Sequence, residues 1–363
     1  MKKVFVLGYF VNNLGDDLFL SILCNRYPNT IFYVTSEHEL NPMPRNLRII
    51  KISILFDLVN KCFHKLYRDT SDLYIIRQLK KDYDCFVSII GSGYMQRNIS
   101  DYPRNSLFEK HFYKTDSYVI GCNFGPYYKE EYLKHYSSLF SKLSGITFRD
   151  EVSYRLFKDN TNSLLAPDIV FGLNVEKYKC DKKKKTVMIS VMDLSFGSYS
   201  QRKEYEADYI KLMVDSIKVL LALGYKVKIL GMCDYENDNR IAIDIIDSFS
   251  NNDIEFISYP NDSMDKIFSE LAKTEYIIST RFHSFVLGVL FDCKVLPISY
   301  NIKTVNTIND LNFNVQPICL EQLKDFSGKE LVKRLLNVDH FVLSESVKAD
   351  ALTHFEFLDS KLE

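Results

Sequence analysis

Short apolar runs, most of them closed by a glycine or a serine and followed by a stretch with helical spacing, recur along the whole chain. Val4-Phe5-Val6-Leu7 stops at Gly8 and gives way to a periodic apolar stretch from Leu18 to Leu23. Cys85 to Ile90, broken only by Ser88, runs into Gly91-Ser92-Gly93. A strand apolar at successive positions buries both faces, as in a parallel sheet covered by helices. Similar runs occupy 31–35, 118–121, 146–148, 186–191, 225–230, 254–257, 276–278 and 295–298. The alternation predicts an α/β fold of two doubly wound Rossmann-like domains facing each other across a cleft.

With 363 residues the chain is too long for one ordinary core. The composition shifts over 172–185, which includes Lys182-Lys183-Lys184-Lys185, and we read this stretch as the linker. The expected division is an N-terminal domain over 1–172, a C-terminal domain over 186–320, and C-terminal helices over 321–363. The lysine run is either solvated or a contact with an anionic membrane or substrate. Residues 37–70 read as irregular, with helical parts.

A net charge of -1 argues against a nucleic-acid partner. No 18-residue apolar window occurs, so no transmembrane segment is expected, while peripheral membrane contact stays open. The opening Met1-Lys2-Lys3 and its short apolar run read as a first strand, not a signal peptide, because Asn12, Asn13, Asp16 and Asp17 follow. Eight scattered cysteines show no CxxC and no Cys/His spacing for zinc. They are expected to be reduced core residues of a cytoplasmic protein, and no metal-ligand cluster is expected.

Chemistry concentrates where strands end. After Ile277-Ile278, Ser279-Thr280 are expected to cap a helix whose first turn carries Arg281 and His283. Such a turn suits a phosphate or carboxylate, which an arginine fork grips with two hydrogen bonds. The alternative is a buried helix whose Arg281 and His283 tie down neighbouring carboxylates. Asn13-Leu14-Gly15-Asp16-Asp17 follows the first strand without a GxGxxG fingerprint, so no dinucleotide is inferred. Asp16 or Asp17 either caps the next helix or reaches a ligand. Gly91 and Gly93 mark either a close backbone approach or a tight turn. Asp150 reads as a helix N-cap, and Arg149, by position alone, as a surface residue.

Taken in order, Asn13-Leu14-Gly15-Asp16-Asp17, Gly91-Ser92-Gly93, Arg149-Asp150 with Ser153, Pro167-Asp168, Ser279-Thr280-Arg281-Phe282-His283 and Tyr300-Asn301-Ile302-Lys303 resemble the polysaccharide pyruvyl transferase family. The resemblance covers about residues 4 to 312 and departs from the family at Tyr9-Phe10 and Ser92, where more glycine is common. It implies a GT-B type fold, with the N-terminal domain on the acceptor side and the C-terminal domain on the donor side. It also implies transfer of a pyruvyl group from phosphoenolpyruvate to a hydroxyl pair of a glycan sugar, forming a cyclic ketal in surface polysaccharide biosynthesis. Arg281 and His283 then contact phosphoenolpyruvate, as does Arg149 by motif order, and His283 serves as general acid or proton shuttle. Lys303 pairs with the phosphate. Asn13, Asp16, Asp17, Gly91 and Gly93 are candidate acceptor or loop contacts, and 37–70 and 94–112 shape the acceptor pocket. Phosphoenolpyruvate is the donor substrate, with no cofactor, and the acceptor is a glycan or lipid-linked sugar met in the cytoplasm or at the inner face of the membrane. The competing expectation is a GT-B glycosyltransferase using a nucleotide sugar.

Overall fold

The computed structural model describes residues 1–52, 54–67, 72–96, 98–99, 106–180, 185–249 and 254–363, without the side chains of 54, 55, 57, 67 and 198–201. Lys182-Lys183-Lys184 of the lysine run lie outside the described residues, as do parts of both predicted acceptor loops. Residues 1–11, 16–169 and 349–363 form one compact unit, and residues 12–15 and 170–348 form a second.

The first unit opens with β1 (Lys3–Leu7), α1 (Leu14–Arg26) and β2 (Ile31–Thr35). Next come β3 (Leu47–Ile50), α2 (Ile54–Tyr67), α3 (Leu73–Leu79) and β4 (Cys85–Ser88). It continues through α4 (Leu107–Phe112), β5 (Ser117–Cys122), α5 (Glu130–Phe140), β6 (Gly145–Phe148), α6 (Glu151–Phe157) and β7 (Ser163–Leu165). Its seven strands are ordered β3-β2-β1-β4-β5-β6-β7, and every pair is parallel.

The second unit holds β8 (Thr186–Ser190), α7 (Glu206–Ala222), β9 (Lys226–Gly231), α8 (Asp238–Ile246), β10 (Ile254–Ser258) and α9 (Met264–Ala272). Then come β11 (Tyr276–Ser279), α10 (Phe282–Leu290), β12 (Lys294–Ser299), α11 (Ile302–Asp310), β13 (Ile318–Cys319), α12 (Gly328–Leu336) and α13 (Glu345–Asp350). Its sheet, again all parallel, is ordered β10-β9-β8-β11-β12-β13. A last helix, α14 (Glu356–Leu362), packs with the first unit.

In both sheets the order reverses beside the first strand, between β1 and β4 and between β8 and β11. In doubly wound folds ligands bind outside the carboxyl ends of the strands at such a switch point. The apolar runs behave as their composition requires: β4, β5, β6, β8 and β11 are buried at every position.

The region read as irregular with helical parts, 37–70, carries the helix α2 and also a strand that was not expected, β3. β3 is held by a long-range contact, because the Asn46 amide donates to the carbonyls of Cys24, Tyr27 and Thr30 at its entrance. The cysteine expectation holds in part. All eight are free thiols, but Cys62 and Cys180 are exposed and Cys319 is half-buried. Burial pushes the Cys24 and Cys85 thiols up to about 12, which keeps them protonated and unreactive. No helix among the described residues is long and apolar enough to cross a membrane.

Candidate active site

In the second unit, β11 ends at Ser279 and α10 begins at Phe282. The N-cap is Arg281 in extended conformation, with no side-chain cap, so Ser279 and Thr280 do not play the expected capping role. The strand runs on through Ser279, whose buried hydroxyl has no hydrogen-bond partner among the described residues. The Thr280 hydroxyl pairs with the Tyr209 phenol at 2.9 Å.

Arg281 is buried, and its guanidinium meets two carboxylates. Nε donates to Asp238 Oδ2 at 3.0 Å, while Nη2 binds Asp238 and Nη1 binds Glu236. Burial works against the Arg281 cation, but Asp238 and Glu236 more than offset it and hold its pKa well above the ordinary guanidinium value. Burial also pushes the Asp238 carboxyl up, against the pull of Arg281. Asp238, the first residue of α8, accepts the backbone N–H groups of Met232 and Cys233 at 3.1 and 3.0 Å. One buried carboxylate thus ties Arg281 to the loop after β9.

The same loop receives the glycine-containing motif from the start of the chain. Leu14 N–H donates to the Met232 carbonyl at 2.9 Å, and Asn13 bridges Cys233. Asn13 Oδ1 accepts the Gly15 N–H at 3.1 Å, so Asn13 supplies the cap expected of Asp16 or Asp17, which fall inside the first turn of α1. Gly15 lies against His283, the second residue of α10, and a Cβ on Gly15 would overlap the imidazole ring. Lys303, in the first turn of α11, has Nζ 5.8 Å from the centroid of the Phe282 ring, and Asn301 caps that helix by accepting the Lys303 N–H at 3.0 Å. Asn13, Arg281, His283 and Lys303 therefore gather around the N-terminus of α10, where the helix dipole favours an anion.

In the first unit a second arrangement forms at the carboxyl ends of β4 to β7. Arg149, placed by position alone at the surface, is only 5% exposed. The sheet continues past β6, and the side chain turns inward to polar partners. Nη1 donates to Asp168 Oδ2 at 3.0 Å. Nη2 donates to Asn123 Oδ1 at 2.8 Å and Ser92 Oγ at 3.0 Å. Gly91 leaves room for this guanidinium, since a Cβ there would lie 3.0 Å from Nη1. Gly93 serves a local turn, because a Cβ there would press on Ile90 of its own loop. Asp150 caps α6 as expected, with Oδ1 accepting the Ser153 N–H at 2.9 Å.

Glu236 and Asp238 on Arg281 carry no sequence signal, since an acidic residue at a helix start reads as an ordinary helix-terminal charge. Asn123 and Asp168 lie in strand-end motifs visible in the sequence, but nothing in their spacing points at Arg149.

Residues 13–302 match the family described as polysaccharide pyruvyl transferase. The amylovoran biosynthesis protein AmsJ of Erwinia amylovora is 24% identical over 311 residues, covering 78% of this chain and 72% of that protein. Among solved structures, the Methanocaldococcus jannaschii UDP-GlcNAc 2-epimerase in complex with UDP-GlcNAc and UDP superposes with a TM-score of 0.55 at 11% identity, covering 96% of this chain and 98% of that one. A putative UDP-N-acetylglucosamine 2-epimerase from Listeria monocytogenes gives 0.53 at 8% identity, covering 99% and 90%. Likeness at such identities speaks for the fold alone, two parallel-sheet α/β domains of GT-B type. With a match over most of its length, carrying the strand-end motifs that build both arrangements, this chain belongs to the polysaccharide pyruvyl transferase family, transferases of polysaccharide pyruvylation.

Proposed function

We propose that this chain transfers a pyruvyl group from phosphoenolpyruvate to two hydroxyls of a glycan sugar, closing a cyclic pyruvate ketal. The observation that carries the reading is the gathering of Asn13, Gly15, Arg281, His283 and Lys303 at the N-terminus of α10. Phosphoenolpyruvate brings a carboxylate and a phosphate to that corner. Lys303 and the helix N-terminus favour its negative charge. Arg281 has one N–H left on each terminal nitrogen beyond those given to Asp238 and Glu236. Glu236 stands where a donor carboxylate would bind Nη1, and we assign it as the group the donor displaces.

His283 then protonates the methylene carbon of the donor. Cationic character develops at the adjacent carbon, one sugar hydroxyl adds there with loss of its proton, and phosphate departs with its bonding pair. The second hydroxyl closes the ring with loss of its proton, so that of the two hydroxyl protons one restores His283 and the other leaves on the phosphate. Phosphoenolpyruvate and a diol become a ketal and inorganic phosphate, with no change in overall oxidation state. Arg149 is assigned to bind an anionic group of the donor through a guanidinium fixed by Asp168 and Asn123.

A thermal-shift titration with phosphoenolpyruvate, nucleoside diphosphates and nucleotide sugars tests the reading, because a ligand that binds only the folded state raises the melting midpoint. A rise with phosphoenolpyruvate, reduced in Lys303→Ala, is expected. A rise with a nucleotide and none with phosphoenolpyruvate would replace this reading with a nucleotide-sugar glycosyltransferase.

A further inference from the structure

We infer that His354, on the C-terminal segment that packs with the first unit, is the positioning residue for Arg149. The inference rests on the reading of Arg149 as a donor-binding residue.

His354 is fully buried in the turn before α14, among apolar neighbours such as Ala351, Phe355 and Leu358. Packing there calls for no polar ring. Its Nε2 lies 2.8 Å from the carbonyl oxygen of Pro167, which can only accept, so Nε2 carries the proton. Its Nδ1 lies 2.7 Å from Thr147 Oγ1 and, in the neutral ring, accepts the hydroxyl proton. That hydroxyl in turn accepts the Gly121 N–H at 2.9 Å. The ring is thus fixed at both nitrogens, one against β6 two residues before Arg149 and the other against the residue before Asp168.

Pro167 and Asp168 are consecutive, so the carbonyl that His354 holds sets the peptide plane from which the Asp168 side chain leaves. Asp168 is 1% exposed and accepts from Arg149 Nη1 at 3.0 Å. A hydrogen-bonded path therefore runs from Gly121 through Thr147, His354 and Pro167 to the carboxylate that aims Arg149. Burial lowers the imidazole pKa to about 4, so the ring stays neutral and keeps one tautomer at neutral pH.

The test uses the full chain with His354→Leu, which keeps bulk but no hydrogen bond, and His354→Gln, which restores a donor. Kinetics are measured well below each melting midpoint. The Arg149 Nε–H cross-peak, assigned by its loss in Arg149→Lys, is followed by nuclear magnetic resonance. In His354→Leu we expect that cross-peak to shift and KM for phosphoenolpyruvate to rise about 10-fold, with KM for the acceptor unchanged and partial rescue in His354→Gln. An unmoved Arg149 cross-peak in folded His354→Leu overturns the inference whatever the enzyme's donor. A shifted cross-peak in a protein that does not bind phosphoenolpyruvate leaves the positioning role standing and overturns the donor reading instead.

Discussion

Gly15 and His283, 268 positions apart in the chain, are packed so closely that no side chain fits on Gly15 without moving the imidazole. Gly15→Ala is therefore expected to displace His283. Overpacking of this kind costs about 1–3 kcal/mol, and misplacing a reacting group by about 1 Å costs on the order of 10²-fold in turnover. Steady-state kinetics beside calorimetry check this. Wild-type turnover in Gly15→Ala would mean that the position of His283 does not matter to the reaction.

His283→Ala removes the proton donor and leaves the anion-binding groups in place. Turnover is expected to fall roughly 10²–10⁴-fold while phosphoenolpyruvate still raises the melting midpoint. Equal loss of binding and turnover would instead make His283 a donor contact alone.

The two carboxylates on Arg281 are expected to respond in opposite ways. Asp238 is fully buried, so Asp238→Asn breaks a buried ion pair and should destabilise the fold by about 3–5 kcal/mol, read from denaturant unfolding. The Glu236 side chain is 13% exposed and competes for the same guanidinium. Glu236→Gln removes a negative charge near the bound donor, worth about 1 kcal/mol at about 4 Å even in the dielectric of bulk water, and KM for phosphoenolpyruvate should fall at least about fivefold. A raised KM would show that Glu236 orients Arg281 and does not compete with the donor.

His354 makes stability depend on pH in a defined window. Its folded-state pKa, about 4, lies below the ordinary value of 6.5, so below 6.5 the unfolded chain takes up a proton that the folded chain refuses. The contribution is complete above pH 6.5 and is lost as pH falls towards 4, to a total of about 3 kcal/mol. Urea unfolding at pH 7.5, 6 and 5 should show this slope in the wild type, and His354→Gln should lack that share of it. Parallel pH profiles would mean that the ring is not buried neutral.

Much of the architecture was legible because it is written in local composition. β1, β4, β8 and β11 are apolar at successive positions, and no other placement satisfies such a run in water. Their assembly into two parallel, Rossmann-like sheets follows from alternation with helices. β3 was not legible, since it is four residues long and is held by the Asn46 amide reaching three carbonyls of another turn.

The residue types at the candidate site were also legible, because helix starts and strand ends place Arg281, His283, Lys303 and Arg149 at sheet edges. What those side chains touch was decided by tertiary structure. Arg281 meets Asp238 across 43 residues and Arg149 meets Asp168 across 19. His354 reaches Thr147 across 207 residues. Periodicity reports which face of an element is apolar, and it acts only between near neighbours in the chain. A buried arginine takes whichever carboxylate the packing brings within reach to offset its desolvation, and that choice exists only once the sheets have formed.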